Sequence, residues 1–230
     1  MPVSRNRIAP KVCRVWRALK ARFGDPRHGN KRNPLAELLF IICSIQTDER
    51  KYESTYRDLR RRFPRIRDLA EAHGSELAEV LRAGGLSRQK SKAISAIMGG
   101  IVGRFGSPTL SPLRRLSDRD CELFLTSLPG VGKKTARCVM MYSLGRDVFP
   151  VDTHCWRICR RVGWVRATRP DGSCSPADMD RLQSKLPRHL RFSVHVNMVS
   201  LGREICRPVS PRCSECPIAT LCARVGVNRR

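Results

Sequence analysis

The sequence predicts an all-α protein, and three observations support this. Alternating patterns typical of half-buried strands are nearly absent along the 230 residues. Successive segments instead show the apolar periodicity of helices, separated by glycine or proline. Several of these segments also begin at residues that commonly cap helix N-termini.

The predicted helices follow one another with clear start and stop signals. Asn33 is a suitable N-cap for a helix with Pro34 in its first position, which we expect to run from Leu35 to Gln46. This helix is apolar on almost every side and should be buried. The other expected helices are Tyr52–Phe63, Ser75–Arg82, Lys90–Phe105, Ser117–Leu128, Lys133–Leu144, Asp152–Val162 and Ser193–Cys206.

The charge of the chain indicates the class of its partner. There are 45 basic and 20 acidic residues, giving a net charge of +25. Such an excess favours a polyanion, most often nucleic acid, although a generally basic solvated surface is the alternative. The longest apolar run, Leu38–Ile45, is too short to span a membrane, and Met1–Asn33 lacks the apolar centre of a signal peptide. We therefore expect an intracellular protein without a membrane partner.

Eleven cysteines are an unusually high number, and four of them form a group. Cys206, Cys213, Cys216 and Cys222 have the spacing C-x6-C-x2-C-x5-C, and four thiolates so close in sequence predict a metal or cluster site. The other cysteines lie mostly in apolar helical patterns and are expected to be small buried residues. They are Cys13, Cys43, Cys121, Cys138, Cys155, Cys159 and Cys174.

The cysteine spacing favours a [4Fe–4S] cluster over zinc. Zinc ribbons usually contain two C-x2-C knuckles, whereas this segment has one, followed by Pro217. Zinc and an unrelated set of cysteines remain the alternatives. We expect the group to order the short loop and to present Arg207 and Arg212 to phosphate.

A second motif lies between two predicted helices, in the segment LPGVGKKTA of residues 128–136. Gly130 and Gly132 allow a tight turn and a close approach to a phosphate, and the next helix begins with free N–H groups and Lys133. This is the helix-hairpin-helix signature, which binds a DNA backbone without reading its sequence. A plain connection between two helices is the alternative.

With these motifs in view, the sequence resembles the endonuclease III family of helix-hairpin-helix DNA glycosylases from about Pro34 to Cys222. Lys134 matches the family's catalytic lysine, and Asp152, in the sequence VDTH, matches its catalytic aspartate. The resemblance implies a glycosylase with AP lyase activity and a [4Fe–4S] cluster. It also implies two helical lobes with a DNA cleft between them. One is a six-helix lobe, residues 27–146. The other is a cluster lobe made of residues 1–26 and 147–230, in which the N-terminal helix packs with residues 147–230.

The chemistry of this pair follows from the residue types. A neutral Lys134 amine can attack the sugar C1′ and form a Schiff base, after which β-elimination cuts the strand on the 3′ side. Lys133, the helix N-terminus and partial burial are expected to lower the pKa of that lysine. The Asp152 carboxylate can stabilise an oxocarbenium-like state, and its position also suits a helix N-cap.

Base excision requires the nucleotide to leave the duplex. The resemblance assigns Gln46 and Leu86 to the gap that is left, with a helix-terminal amide and a core leucine as the alternatives. This chain has one residue fewer between Gln46 and Asp48 than the family pattern, and Ser87 replaces an aromatic residue. Both departures concern the lesion pocket.

The expected partner is double-stranded DNA with damaged bases, most simply oxidised pyrimidines, or abasic sites, and one chain should suffice. A uracil or thymine mismatch glycosylase and an inactive DNA-binding protein are the alternatives. His154 is expected to stack near the site or contact phosphate, and His195 to be packed in a helix. The expected compartment is the bacterial cytoplasm, at the nucleoid, or the nucleus or mitochondrion of a eukaryote.

Overall fold

The computed structural model describes residues 9–227, so the first eight residues of the predicted cluster lobe and the last three lie outside the described residues. The described part contains α-helices and short 3-10 helices and no β-strand, which confirms the predicted all-α class. None of its helices is long and apolar enough to cross a membrane. The α-helices are α1 (Ala9–Phe23), α2 (Pro34–Ser44), α3 (Glu49–Arg62), α4 (Ile66–Glu71), α5 (Gly74–Val80), α6 (Ser87–Phe105), α7 (Asp118–Ser127), α8 (Lys133–Leu144), α9 (Thr153–Val162), α10 (Pro176–Lys185) and α11 (Arg191–Glu204).

Helix α2 forms as its sequence predicts at one end and differs at the other. The Asn33 side chain accepts hydrogen bonds from the Leu35 and Ala36 amides, both at 3.0 Å, and nearly every side chain of the helix is buried. The helix ends at Ser44, however, and not at Gln46. Gln46 lies in a following turn with φ 49°, so the expectation that it ends the helix was wrong.

Two short helices, α4 and α10, were not predicted. Helix α4 has only six residues, too few for an apolar period to be recognised. Helix α10 carried a usable signal, because Ser175 and Asp178 form a reciprocal capping box around Pro176.

One compact unit comprises Asn30–Arg146 and contains α2 to α8. It has seven α-helices, one more than the six expected, with α4 and α5 only six and seven residues long. Helix α2 packs between α3 and α8, and α5 packs on α6. Burying the apolar α2 against two neighbours gives this unit its core.

The other compact unit joins Met1–Gly29 to Asp147–Arg230, described from residue 9, and contains α1, α9, α10 and α11. Helix α11 packs on both α1 and α9, and the indole N–H of Trp16 donates to the Ser193 hydroxyl at 2.7 Å. His195 is 2% exposed and donates from Nδ1 to the Pro150 carbonyl at 3.0 Å, which confirms it as a packed helix residue.

Most of the scattered cysteines behave as predicted. Cys43, Cys121, Cys138, Cys155 and Cys159 are buried among apolar side chains, whereas Cys13 and Cys174 are half-buried. Burial in apolar surroundings raises the pKa of the Cys43 thiol to about 12 and that of Cys159 further. Both are therefore neutral packing residues and not nucleophiles.

Candidate functional site

Helices α7 and α8 are joined by the turn 128–132. Gly130 has φ 77°, a left-handed conformation that favours glycine, and the Val131 amide donates to the Leu128 carbonyl at 3.1 Å. Gly132 differs from the prediction, since its φ of −83° is open to any residue. A Cβ built on Gly132 would meet no atom within 4 Å, so the space beside its backbone is open.

The start of α8 offers groups suited to an anion. The first helical hydrogen bond of α8 joins the Ala136 amide to the Gly132 carbonyl at 3.0 Å, so the preceding amides have no acceptor within the helix. Such amides, together with the helix dipole, favour phosphate at a helix N-terminus. The turn and helix start therefore have the form that a backbone-binding hairpin requires.

Two lysines begin α8, and their surroundings differ. The Lys133 ammonium lies 3.4 Å from Glu122 Oε1, and the same carboxylate accepts a 2.6 Å hydrogen bond from Arg137 Nε. Lys134 is half-buried. Glu122 therefore balances part of the charge of Lys133.

Glu37, which was not among the residues predicted for the site, lies in α2 within the electrostatic reach of Lys134. Its carboxylate is fully buried and accepts hydrogen bonds of 2.6 Å from the Asn30 side chain and from the Lys31 amide. Burial raises the pKa of this carboxyl group, and the positive charge of Lys134 is among the effects that oppose the rise. One carboxylate in an otherwise apolar helix was the signal that could have identified it.

Asp152 is in the other unit, where it caps α9. Its Oδ1 accepts a 2.7 Å hydrogen bond from the Cys155 amide, and its carbonyl accepts the Trp156 amide at 2.9 Å. The predicted N-cap is thus confirmed. The side chain remains half-buried, so the same carboxylate is fixed in position by the helix that it begins.

His154, next to this cap, is held by Arg157. The Arg157 guanidinium donates to His154 Nδ1 at 3.1 Å, to the Gly202 carbonyl at 2.9 Å and to the Cys206 carbonyl at 2.8 Å. Since an arginine can only donate, His154 Nδ1 is an acceptor and its proton is on Nε2. Burial lowers the pKa of His154, so the ring is neutral at neutral pH and can offer phosphate one N–H but no charge.

Gly202 allows α11 to pack against this histidine. A Cβ at position 202 would lie 2.5 Å from His154 Nδ1 and 2.7 Å from its Cβ. Any larger residue would displace His154, and with it the start of α9. This requirement could not be seen in the sequence, because the two residues are 48 positions apart.

Gln46 and Leu86 both lie at the surface of the unit formed by Asn30–Arg146. Leu86 is 39% exposed with φ 52°, and Gln46 is exposed with φ 49°. Positive φ is uncommon for residues other than glycine and costs roughly 1–2 kcal/mol at each position. The Thr47 hydroxyl donates to the Gly84 carbonyl at 2.6 Å, so the turns that carry the two side chains are directly joined. Because Leu86 is an exposed residue, the alternative of Leu86 as a core residue is excluded.

The four grouped cysteines surround one small cavity. Each is half-buried, and the cavity is also lined by apolar side chains of α9 and α11, including Ile158 and Leu201. Among the described residues, no three cysteine, histidine or acidic side chains converge on a single ion position. The four thiols thus enclose a space with apolar walls and do not meet at one point.

Arg161 attaches this loop to α9. Its buried guanidinium donates to Cys206 Sγ at 3.2 Å, to the Arg207 carbonyl at 2.7 Å and to the Pro208 carbonyl at 2.9 Å. An N–H group that points at a cysteine sulfur stabilises a thiolate. The loop is thereby suited to a group that binds thiolates.

The two arginines of the loop differ in availability. The Arg207 side chain is exposed. Arg212 is also exposed, but it donates to the Glu204 carbonyl at 2.7 Å and pairs with Glu215 at 3.1 Å. Arg212 therefore ties the loop to the end of α11, a role that the sequence did not suggest.

Comparisons with known proteins agree with this geometry. Residues 39–179 match the HhH-GPD superfamily of base excision DNA repair proteins. The chain is 30% identical to endonuclease III of Thermotoga maritima over 86% of each chain, and 30% identical to that of Bacillus subtilis over 86% of this chain and 84% of the relative. A solved structure of a trapped covalent intermediate of endonuclease III with DNA is similar with a TM-score of 0.79 and 26% identity, covering 94% of this chain and 95% of the other. The chain therefore belongs to the endonuclease III family of the HhH-GPD superfamily and is a base excision repair DNA glycosylase that acts on damaged duplex DNA.

Proposed function

We propose that this glycosylase excises oxidised pyrimidines and then cleaves the strand as an AP lyase, with Lys134 as the nucleophile. The observation that carries the proposal is a half-buried lysine in the first turn of α8, directly after the hairpin turn. The related endonuclease III has been captured as a covalent intermediate with DNA, which an amine nucleophile explains.

The proposed reaction uses groups of this chain and water. The neutral Lys134 amine forms a bond to the sugar C1′, and the glycosidic bond breaks with its electron pair leaving on the base. The amine gives one proton to the departed base, the C1′–O4′ bond then breaks while O4′ takes a proton from water, and the protonated Schiff base forms. Loss of a C2′ proton to water breaks the C3′–O bond, and its electron pair leaves with the 3′ phosphate. We assign the Asp152 carboxylate to the positive charge that develops on the sugar while the base departs.

We assign DNA contacts to the hairpin and to the two strained turns. Gly130, Gly132 and Lys133 would bind a backbone phosphate at the start of α8. Gln46 and Leu86 would fill the gap left by the extruded nucleotide. In the other unit, His154 and Arg207 would contact the backbone, and Arg212 to a lesser degree because its guanidinium is engaged by Glu204 and Glu215.

A panel of lesions tests substrate and mechanism together. Duplexes carrying an oxidised pyrimidine, uracil opposite guanine, or thymine opposite guanine are incubated with the protein in the presence and absence of borohydride. We expect the fastest release for the oxidised pyrimidine and a covalent protein–DNA adduct after reduction, since borohydride reduces a Schiff base.

Other results would replace the proposal in specific ways. Faster release of mismatched uracil or thymine would make the chain a mismatch glycosylase. Base release without an adduct would indicate a monofunctional enzyme. Tight duplex binding without release of any base would indicate a protein that recognises DNA and does not repair it.

We also propose that Cys206, Cys213, Cys216 and Cys222 hold a [4Fe–4S] cluster. The donor set is entirely sulfur, and Arg161 donates to one of the four sulfurs. Zinc requires four ligands within about 2.3 Å of one centre, whereas the cysteines of a cluster each bind a different iron and need not converge. When bound, it would order the loop that carries Arg207.

The cluster is expected to give the purified protein broad visible absorption and about four irons with matching acid-labile sulfide per chain. Cys213→Ser should lose most of both, because it removes one ligand. Cys174→Ser is the matched control, since Cys174 is equally half-buried but lies outside the loop, and it should keep the full content. One zinc per chain without iron would contradict the assignment.

A further inference from the structure

Lys90 is a buried lysine to which the proposed chemistry gives no role. It lies in the first turn of α6 and is only 3% exposed, so it cannot contact a phosphate. Its ammonium donates three hydrogen bonds, to the Cys43 carbonyl at 2.9 Å, the Thr47 hydroxyl at 2.7 Å and the Gly84 carbonyl at 2.9 Å. All three donors of the ammonium are therefore used.

The three acceptors of Lys90 come from two separate turns. Cys43 is in the last turn of α2, and Thr47 follows Gln46 directly. Gly84 belongs to the 3-10 turn that precedes Leu86. The Thr47 hydroxyl itself donates a hydrogen bond to the Gly84 carbonyl at 2.6 Å, which closes the network.

Each of these turns requires an external restraint. Gln46 and Leu86 both have left-handed backbones, which residues other than glycine leave readily when nothing holds them. Gly84 lies so close to α3 that a Cβ on it would be 2.7 Å from Thr55 Oγ1. The ammonium donates to the last turn of α2 through the Cys43 carbonyl and to the other turn through the Gly84 carbonyl, so one buried group holds both turns in one arrangement.

We propose that Lys90 is a positioning residue for nucleotide extrusion, which clamps the turns carrying Gln46 and Leu86 into one preformed surface that enters the DNA. This inference rests on the proposed roles of Gln46 and Leu86. A preformed surface enters the duplex without the loss of conformational entropy that ordering two loops would require. Lys90 acts through the two turns and touches neither the DNA nor the reacting atoms.

The first experiment measures insertion without any bond cleavage. The probe is a duplex with a tetrahydrofuran abasic site and 2-aminopurine opposite it, whose fluorescence rises when the stack is opened. At saturating protein, we expect the rise with Lys90→Met to be about threefold or more below that of the wild type, since the two turns are no longer held. Lys92→Met is the matched control, because it removes the same charge from an exposed position on the same helix and should keep the full rise.

The second experiment uses the dependence of excision on base pairing. Extrusion costs less from an unpaired bubble than from a fully paired duplex. Lys90→Met should therefore slow excision about tenfold in the paired duplex and less than about twofold in the bubble. A damaged fold or a disturbed catalytic group would slow both substrates alike.

Each outcome bears on the clamp. A wild-type fluorescence rise with Lys90→Met, or equal slowing of both substrates, would overturn it, as would no rise with the wild type. If circular dichroism shows that Lys90→Met does not fold, Thr47→Val is tested in its place. This variant removes one acceptor of Lys90 and leaves the ammonium, so we expect a fluorescence rise between those of the wild type and a protein without the clamp. A wild type that releases no base but gives the normal rise refutes the proposed repair activity alone, and the variants then test the clamp by fluorescence.

Discussion

Lys134→Gln is expected to abolish the covalent adduct and to lower base excision by at least about 10³-fold. Glutamine has a similar length but no amine that could attack C1′ or form a Schiff base. The measurement is single-turnover cleavage of a lesion duplex, together with borohydride trapping and gel separation of the adduct. Duplex binding should fall only slightly, because the hairpin amides and the other basic groups remain.

Lys133→Gln is the matched control for this variant, because it removes the adjacent lysine, which is paired with Glu122. It should weaken DNA binding but still give the adduct. An adduct that persists in Lys134→Gln and disappears in Lys133→Gln would move the nucleophile to the neighbouring residue.

Asp152→Asn is expected to slow base excision by about 10²–10³-fold while leaving the fold almost unchanged. Asparagine caps a helix nearly as well as aspartate, so the hydrogen bond to the Cys155 amide can be kept. What is lost is the negative charge that stabilises the positive charge on the sugar. Single-turnover rates and thermal unfolding, measured side by side, separate these two effects.

Comparison with Asp152→Ala completes this test. Alanine removes both the charge and the cap and should cost an additional ~1 kcal/mol of stability. If Asp152→Asn excises the base at the wild-type rate, Asp152 is a helix cap and not a catalytic residue. If Asp152→Asn melts at the same temperature as the wild type but excises the base much more slowly, the catalytic role is supported.

Much of the fold could be predicted because its signals are local. Helix α8 begins at Lys133 and ends at Leu144 in both prediction and structure, since a glycine stands beside each end and Gly145 adopts the left-handed C-cap with φ 68°. The caps Asn33 and Asp152 were also identified correctly, because a capping side chain reaches amides only two or three residues away.

Predictions failed where the relevant contact was distant. Helix α2 was extended to Gln46 because the residues around it allow a helix. The chain instead turns after Ser44, and the turn is held by Lys90 and Gly84 from a segment about 40 residues later.

The sequence by itself determined the helical class, the hairpin and the cysteine spacing, and it identified the side chains that we propose to react, because each depends on residue types at short separation. Only the tertiary structure decided how those groups are held. Lys90 and Gly202 have no local pattern that marks them, and their roles arise from burial beside residues far away in the chain. The effect of a buried charge or of a missing Cβ depends on the residues packed around it. Burying a charge costs free energy unless a partner is present, and that partner is known only from the tertiary structure.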